Sequence, residues 1–299
     1  MQANIPQNQA NNEFQMPISV NDFELLEILG KGAQDVNSKV RYKQSGGIYL
    51  IKTLGLKQFE KKDREIDFLR EKEILYYLTK RNHPHIVKLY ADFQDSENRY
   101  LVFEYIEGIT LDKLRGSEQN KGYVDQNLVI NILTQLLETL KYLHENCYIM
   151  HRDIIPSNII LEPDNNIKLI DFGLSAYLVN QNKVLVSNKS FKGAVKFVPP
   201  EIIFSPPPLN YDYKIDIFSL GFTIYSLMNP SLDGKPNLPQ ITVGKYGIDL
   251  KRIDNNLNNN FYDDWLKDFI KMLYENDKSK RLSASQALEN LKILQQKYN

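Results

Sequence analysis

The apolar residues change period near residue 104, and that change decides what the chain can fold into. Before it, apolar residues come in short runs closed by turn formers. Phe23-Glu24-Leu25-Leu26-Glu27-Ile28-Leu29 ends in Gly30, and Ile48-Tyr49-Leu50-Ile51 follows Ser45-Gly46-Gly47. With Tyr100-Leu101-Val102-Phe103, these runs read as strands. Among them, residues 57–73 carry six basic and six acidic side chains and pass into Ile74, Leu75 and Leu78, which predicts a solvated helix with an apolar end. Beyond residue 104 the rhythm is i, i+3, i+4. Leu128, Val129, Ile132, Leu133, Leu136, Leu137, Leu140 and Leu143 predict a long buried helix. Ile215 to Met228 is apolar almost throughout, the mark of a core helix, and Ser283 with Gln286 opens a last helix towards Tyr298 in capping-box spacing. The fold class is α+β, with a small strand-rich front half and a larger helical back half. A ligand cleft between two such lobes is the default expectation.

Composition narrows the function classes. A length of 299 residues is a soft prior for about two structural units with a sizeable core. Lys+Arg and Asp+Glu both number 37, so no basic excess points to nucleic acid. Cys147 is the one cysteine, which excludes an internal disulfide and a thiolate-rich metal site. MQANIPQNQA has no apolar core and does not read as a secretory signal, and no apolar run is long enough to span a membrane. The expectation is a soluble cytoplasmic protein of the reducing interior. Residues 1–20 hold eight Gln or Asn and one charge, Glu13, and read as a disordered polar tail, with order beginning near Phe23.

The strongest chemical signal is an ordered set. His151-Arg152-Asp153 is followed five residues later by Asn158, and thirteen residues beyond that by Asp171-Phe172-Gly173. Asp153 can accept a proton from a hydroxyl, and Asn158 and Asp171 offer hard oxygens suited to magnesium. Each tripeptide alone says little; the set at these spacings is hard to reach by accident.

With these residues the chain resembles a eukaryotic protein kinase, of the serine/threonine type, over residues 23–293. The resemblance implies an N-lobe 23–103, a hinge 104–108 and a C-lobe 109–293. Residues 1–22 form the polar tail and 294–299 the helix end. It further implies ATP and Mg2+ as cofactors and a protein substrate, with room for a regulatory partner and none for nucleic acid or membrane. By resemblance, Asp153 is the catalytic base. Lys52 holds the nucleotide phosphates, Glu71 pairs with Lys52, and Asn158 and Asp171 hold the metal. Glu71 is chosen over its rival Glu73 because Ile74 and Leu75 follow at +3 and +4. Gly30-Lys31-Gly32 opens the phosphate-covering loop. Glu104 and Ile106 hold adenine by their backbone, behind Phe103 as gatekeeper. Glu201, in Pro199-Pro200-Glu201, pairs with Arg281, and Asp216 and Gly221 are structural. Residues 171–201 form the activation segment, with Ser190 as the phosphosite candidate and Arg152 as its partner.

The sequence departs from the family pattern in places that matter. The third glycine of the loop is Asp35, and the valine that roofs adenine is Asn37, with Val36 or Val40 as stand-ins. The alanine two before the lysine is Leu50. Ile155 stands where serine/threonine kinases carry a lysine, and Ser157 where tyrosine kinases often carry an arginine. Pro156 leans to the serine/threonine branch, whereas Ala194 replaces a threonine of that branch.

Two readings follow. One is an ATP- and magnesium-dependent serine/threonine kinase of reduced activity, because Lys52, Glu71, Asp153, Asn158 and Asp171 are retained. The other is a pseudokinase, a nucleotide-binding or scaffolding module. A P-loop nucleotidase is excluded because no G-x-x-x-x-G-K-[ST] occurs. Cys147 and Trp265 read as packing residues, and His83-Pro84-His85 as a turn.

Overall fold

Five strands of the N-terminal unit, Met1–Ile106, form one antiparallel sheet. They are β1 (Phe23–Lys31), β2 (Asp35–Tyr42), β3 (Ile48–Gly55), β4 (Leu89–Gln94) and β5 (Asn98–Glu104), in the order β1-β2-β3-β5-β4. The protein's computed structural model describes residues 14, 18–32, 35–60, 62–114, 122–178, 184–187, 197–203, 209–229, 243–244, 247–248 and 260–298.

Side chains alternate between the faces of a strand, and here one face is an aromatic layer. Phe23, Val40, Tyr42, Tyr49, Ile51, Ala91, Tyr100 and Val102 pack together on it. Phe14 and Ile18 belong to the same cluster. The Phe14 ring lies 5.0 Å from both Tyr42 and Tyr49 and is only 6% exposed. The expectation of disorder through residue 22 therefore fails for Phe14, and for Ile18 and the single turn Val20–Asp22. A bare aromatic sheet face would leave a large apolar patch in water, and these two side chains help to cover it.

On the opposite face β3 presents Leu50 and Lys52, opposite Phe103 and Leu101 of β5. The charged run begins as a turn, Leu56–Glu60, and only then becomes the helix α1 (Lys62–Arg81). Its apolar end, Ile74, Leu75 and Leu78, is buried as the sequence indicates. Side-chain contacts tie α1 to the sheet. Arg99 meets Glu65 at 2.6 Å, and Tyr76 and Lys72 both donate to Asp92, at 2.7 and 3.0 Å. Burial, helped by the Asp92 charge, pushes the Tyr76 hydroxyl above its ordinary pKa, so it stays a donor.

The C-terminal unit, Glu107–Asn299, is built on helices. Asp125 caps α2 (Gln126–Lys141) through the amides of Asn127 and Leu128, and seven apolar residues from Val129 to Leu140 are buried along it. The chain runs on through a wide turn, Tyr142–Cys147, ended by Tyr148 in the left-handed region (φ 56°). After the short helix α3 (Pro200–Ile203), the core helix α4 (Lys214–Met228) is buried on every side. A Cβ on its Gly221 would stand 3.0 Å from Leu273 Cβ and the Tyr274 amide nitrogen, so a larger residue would push α5 (Asp264–Leu273) outward by a few tenths of an ångström. The capping box of α6 (Ala284–Tyr298) is present as read. Ser283 N donates to Gln286 Oε1 at 2.9 Å, and Gln286 N to Ser283 Oγ at 3.2 Å. Cys147 and Trp265 are buried, and His85 N donates to His83 Nδ1 in the expected turn.

Short strands carry the loops of interest in this unit. β6 (Ile109–Thr110), β8 (Ile159–Leu161) and β9 (Ile167–Leu169) form one small sheet, and β7 (Ile149–Met150) pairs with β10 (Ala176–Tyr177). The α+β expectation holds.

Candidate active site

The residues singled out from the sequence fall into two groups, one in each unit. In the N-terminal unit, Lys52 Nζ stands 3.3 Å from Glu71 Oε1 on α1, and both side chains are largely shielded from water. Glu71, not Glu73, is therefore the lysine's partner. Leu50 lies on the same face of β3 as Lys52, and its cross-strand neighbour Phe103 is buried. That places the gatekeeper candidate beside the bulky residue where the family carries alanine. The Glu104 amide donates to the Lys88 carbonyl at 3.1 Å and its carboxylate accepts from the Lys88 amide at 2.9 Å. Ile106 is half-buried at the end of the unit.

Strand register overturns one assignment. Asn37 pairs with Lys52 and Lys39 with Leu50, so these β2 residues share the lysine's face. Val40 pairs with Tyr49 and packs in the aromatic layer on the other face. It cannot roof a ligand beside Lys52, because residues an odd number of positions apart on a strand point to opposite faces. Val36 pairs with Thr53 and lies on that other face as well. The roof position is Asn37, a polar residue.

The phosphate-loop candidates hold a further surprise. Gly30 pairs with Asn37, and a Cβ on it would meet nothing within 4 Å. Gly32 N donates to the Asp35 carbonyl at 2.9 Å. The Asp35 carboxylate lies 4.0 Å from Lys52 Nζ. The sequence flags Asp35 as an anion where a glycine belongs. That it reaches the lysine depends on the β2–β3 register, which no local pattern gives.

In the C-terminal unit the catalytic-loop candidates hang from one buried carboxylate. Asp216, at the start of α4, accepts from the His151 amide at 2.9 Å, the Arg152 amide at 2.7 Å and His144 Nε2 at 2.8 Å. Burial alone would raise its pKa, but the hydrogen bond and charge of His144, with further contributions from His151, bring it below the ordinary carboxylate value. These contacts hold Arg152 in the left-handed region (φ 66°), a conformation that costs a non-glycine residue energy unless its surroundings impose it. Arg152 Nε donates to the Leu174 carbonyl at 2.5 Å.

Asp153 follows directly. Asn158 Nδ2 donates to Asp153 Oδ2 at 2.8 Å and to the Asp153 carbonyl at 3.1 Å. The Asn158 carbonyl accepts from the Ile170 amide at 2.9 Å, which ties the loop to the residue before Asp171. Asp171 is itself left-handed (φ 60°), and its Oδ1 accepts from the Gly173 amide at 3.1 Å. With the Asn158 amide nitrogen turned to Asp153, its side-chain oxygen is left for a cation. Asp171 adds a second hard oxygen on a neighbouring segment, and oxygens of this kind are the donors that magnesium takes. Ile155 is half-buried, and the hydroxyl of Thr223 holds the carbonyl of its neighbour Ile154 at 2.9 Å. The loop backbone is thus fastened with no lysine at 155.

Glu201 and Arg281 meet in a two-pronged ion pair at 2.7 and 3.1 Å, as their motifs indicate. The roles of His144 and Thr223 were not legible, because only the folded chain brings them to Asp216 and Ile154. Ser190, Gly193 and Ala194 lie outside the described residues.

The comparisons agree with this geometry. The family model "Protein kinase domain" matches residues 23–291. The chain is 32% identical over 286 residues to calcium-dependent protein kinase 4 of Plasmodium falciparum (isolate 3D7), covering 92% of this chain and 50% of that protein. It is 30% identical over 272 residues to Aurora kinase C of Mus musculus, covering 91% of each. It is 32% identical over 303 residues to an Aurora kinase of Candida albicans (strain SC5314 / ATCC MYA-2876), covering 95% of this chain and 54% of that protein. The chain spans about half the length of the Plasmodium relatives it matches.

Proposed function

The chain belongs to the protein kinase family, and from that premise we propose that it transfers the γ-phosphate of ATP to serine or threonine hydroxyls of protein substrates. The observation that carries this reading is the catalytic-loop geometry, in which Asn158 orients Asp153 and is tied by its backbone to the segment bearing Asp171. Phosphoryl transfer depends on positioning and on neutralising charge more than on covalent chemistry. Asp153 accepts the proton of the attacking hydroxyl. Lys52, steadied by Glu71, binds phosphate oxygens. Asn158 and Asp171 would hold a magnesium ion, which supplies further charge neutralisation when bound. Pro156, buried at the start of the turn Pro156–Asn158, supports the serine/threonine branch by resemblance.

A second reading, a pseudokinase that binds or scaffolds, is favoured by the Asp35 carboxylate at 4.0 Å from Lys52. One experiment separates the two. The purified chain is incubated with labelled ATP, magnesium and a generic protein substrate, beside Asp153→Asn. The expected outcome is phosphate incorporation by the wild type and a loss of about 10²–10⁴-fold in the variant, the usual worth of a positioned acid or base. Absence of incorporation by both proteins sinks the enzyme reading. If ATP with magnesium also fails to raise Tm, nucleotide binding falls with it, since a ligand of the native state must stabilise it.

A further inference from the structure

We propose that Asp35 is a built-in competitor for the ammonium of Lys52, so that this domain selects nucleotides against their phosphate charge. The inference rests on the nucleotide-binding reading above and specifies what that site prefers.

The register puts the carboxylate where it can act. Asp35 opens β2 and pairs with Leu54, and Asn37 pairs with Lys52, so Asp35, Asn37, Lys52 and Leu54 share one face of the sheet. Lys52 Nζ lies within 4.0 Å of two anions, 3.3 Å from Glu71 and 4.0 Å from Asp35. The Glu71 contact is the one the family reading expects. The Asp35 contact comes from the loop that should cover phosphates, where an anion is least compatible with a phosphorylated ligand.

The loop tip is shaped around this carboxylate. Gly32 N donates to the Asp35 carbonyl at 2.9 Å, which brings the two residues together. A Cβ on Gly32 would overlap Asp35 Oδ1, so a larger residue there would push this carboxylate out of its present position. In the family pattern this glycine serves close approach to phosphate; here the group it admits belongs to the chain itself. The Asp35 and Lys52 side chains are 29% and 14% exposed, so water screens their attraction only in part.

The consequence is a graded one. Asp35 places a second carboxylate beside the Lys52 ammonium, and with it a negative charge where phosphates would bind. A phosphate must take the place of Asp35 at Lys52 or share the lysine with it, and every added phosphate charge is repelled by the same group. Adenosine, which carries no phosphate, escapes this effect. The affinity gained from adenosine to ADP to ATP is therefore compressed in this protein.

Asp35→Asn tests the idea, because it removes the charge and keeps the shape that Gly32 accommodates. Adenosine, ADP and ATP are titrated calorimetrically into wild type and variant, with magnesium at fixed ionic strength. The expected result is a rise of about tenfold or more in the ratio of ATP to adenosine affinity, the scale of one close charge. Adenosine affinity should stay within about twofold. A second measurement needs no nucleotide: the acylation rate of Lys52 by an amine-reactive probe, followed by mass spectrometry. Loss of the Asp35 carboxylate beside it should raise that rate several-fold. An unchanged affinity ratio with an unchanged acylation rate overturns the proposal at its first step, the contact itself. If acylation responds but the ratio does not, the contact is real and the competitor role is overturned. If neither protein binds ATP or adenosine while acylation responds, the nucleotide reading falls and takes the competitor role with it.

Discussion

Lys52 in the N-terminal unit is held by charged side chains, Glu71 on a helix and Asp35 at the start of a strand. Asp153 in the C-terminal unit is held instead by a loop backbone fastened to the buried Asp216 and to the hydroxyl of Thr223. The difference explains what the sequence departures do. A change in the first arrangement alters the charge at the lysine directly, as Asp35 does. A change in the second, such as Ile155, leaves the scaffold standing, because the hydrogen bonds that shape the loop go to its backbone. Geometry is therefore retained where charge has been lost, and a well-formed catalytic loop is no measure of catalytic rate.

The contrast can be broken at its strongest point. Arg281 is 1% exposed and paired with Glu201, so Arg281→Ala leaves a half-buried carboxylate uncompensated and empties a buried site. The expected cost is about 3–5 kcal/mol by urea unfolding, falling on the C-terminal unit. A cost below about 1 kcal/mol would mean that this unit does not depend on its buried charges.

The N-terminal counterpart is apolar. Phe14→Ala removes a ring that packs on Phe23, Tyr42 and Tyr49, and should cost about 3 kcal/mol, at the lower end for a buried phenylalanine. Unchanged stability would show that the aromatic layer does not need the segment before Phe23.

Ile155→Lys sharpens the comparison from the other side, since it restores a cation without touching the scaffold. The rate of phosphate transfer should rise by up to about a hundredfold, the worth of one group that stabilises a developing charge. An unchanged rate would show that the missing lysine does not limit this protein.

The smallest effect is one of pH. Burial holds His151 neutral, with a pKa below its ordinary 6.5, although Asp216, Asp153 and Asp171 oppose this. The unfolded chain takes up a proton near 6.5 that the folded chain refuses, so protonation favours unfolding and stability falls as pH drops below about 6.5. Asp216, whose folded pKa is depressed, adds a loss of the same sign at still lower pH. Tm should fall between pH 7 and pH 5, and His151→Asn should flatten that slope. A Tm that holds or rises over this range would contradict it.

The sequence by itself determined whatever depends on near neighbours. The buried stripe of α2, the apolar wrap of α4 and the box at Ser283 and Gln286 are set by periods of a few residues, and all are found as read. The Lys52–Glu71 and Glu201–Arg281 pairs were legible only through the resemblance to the kinase family, since each joins distant residues. Only the tertiary structure decided the rest. Val40 and Lys52 face opposite ways because a strand's faces are fixed by register, and a shift of one residue reverses every side chain. Phe14, in a polar tail with no periodicity, is buried because a distant aromatic face receives it. Asp35 became a partner of Lys52 through a hairpin register, and His144 a partner of Asp216 across 72 residues. Local pattern is written in adjacent residues, but which face meets which, and which charge meets which, is a property of the packed chain.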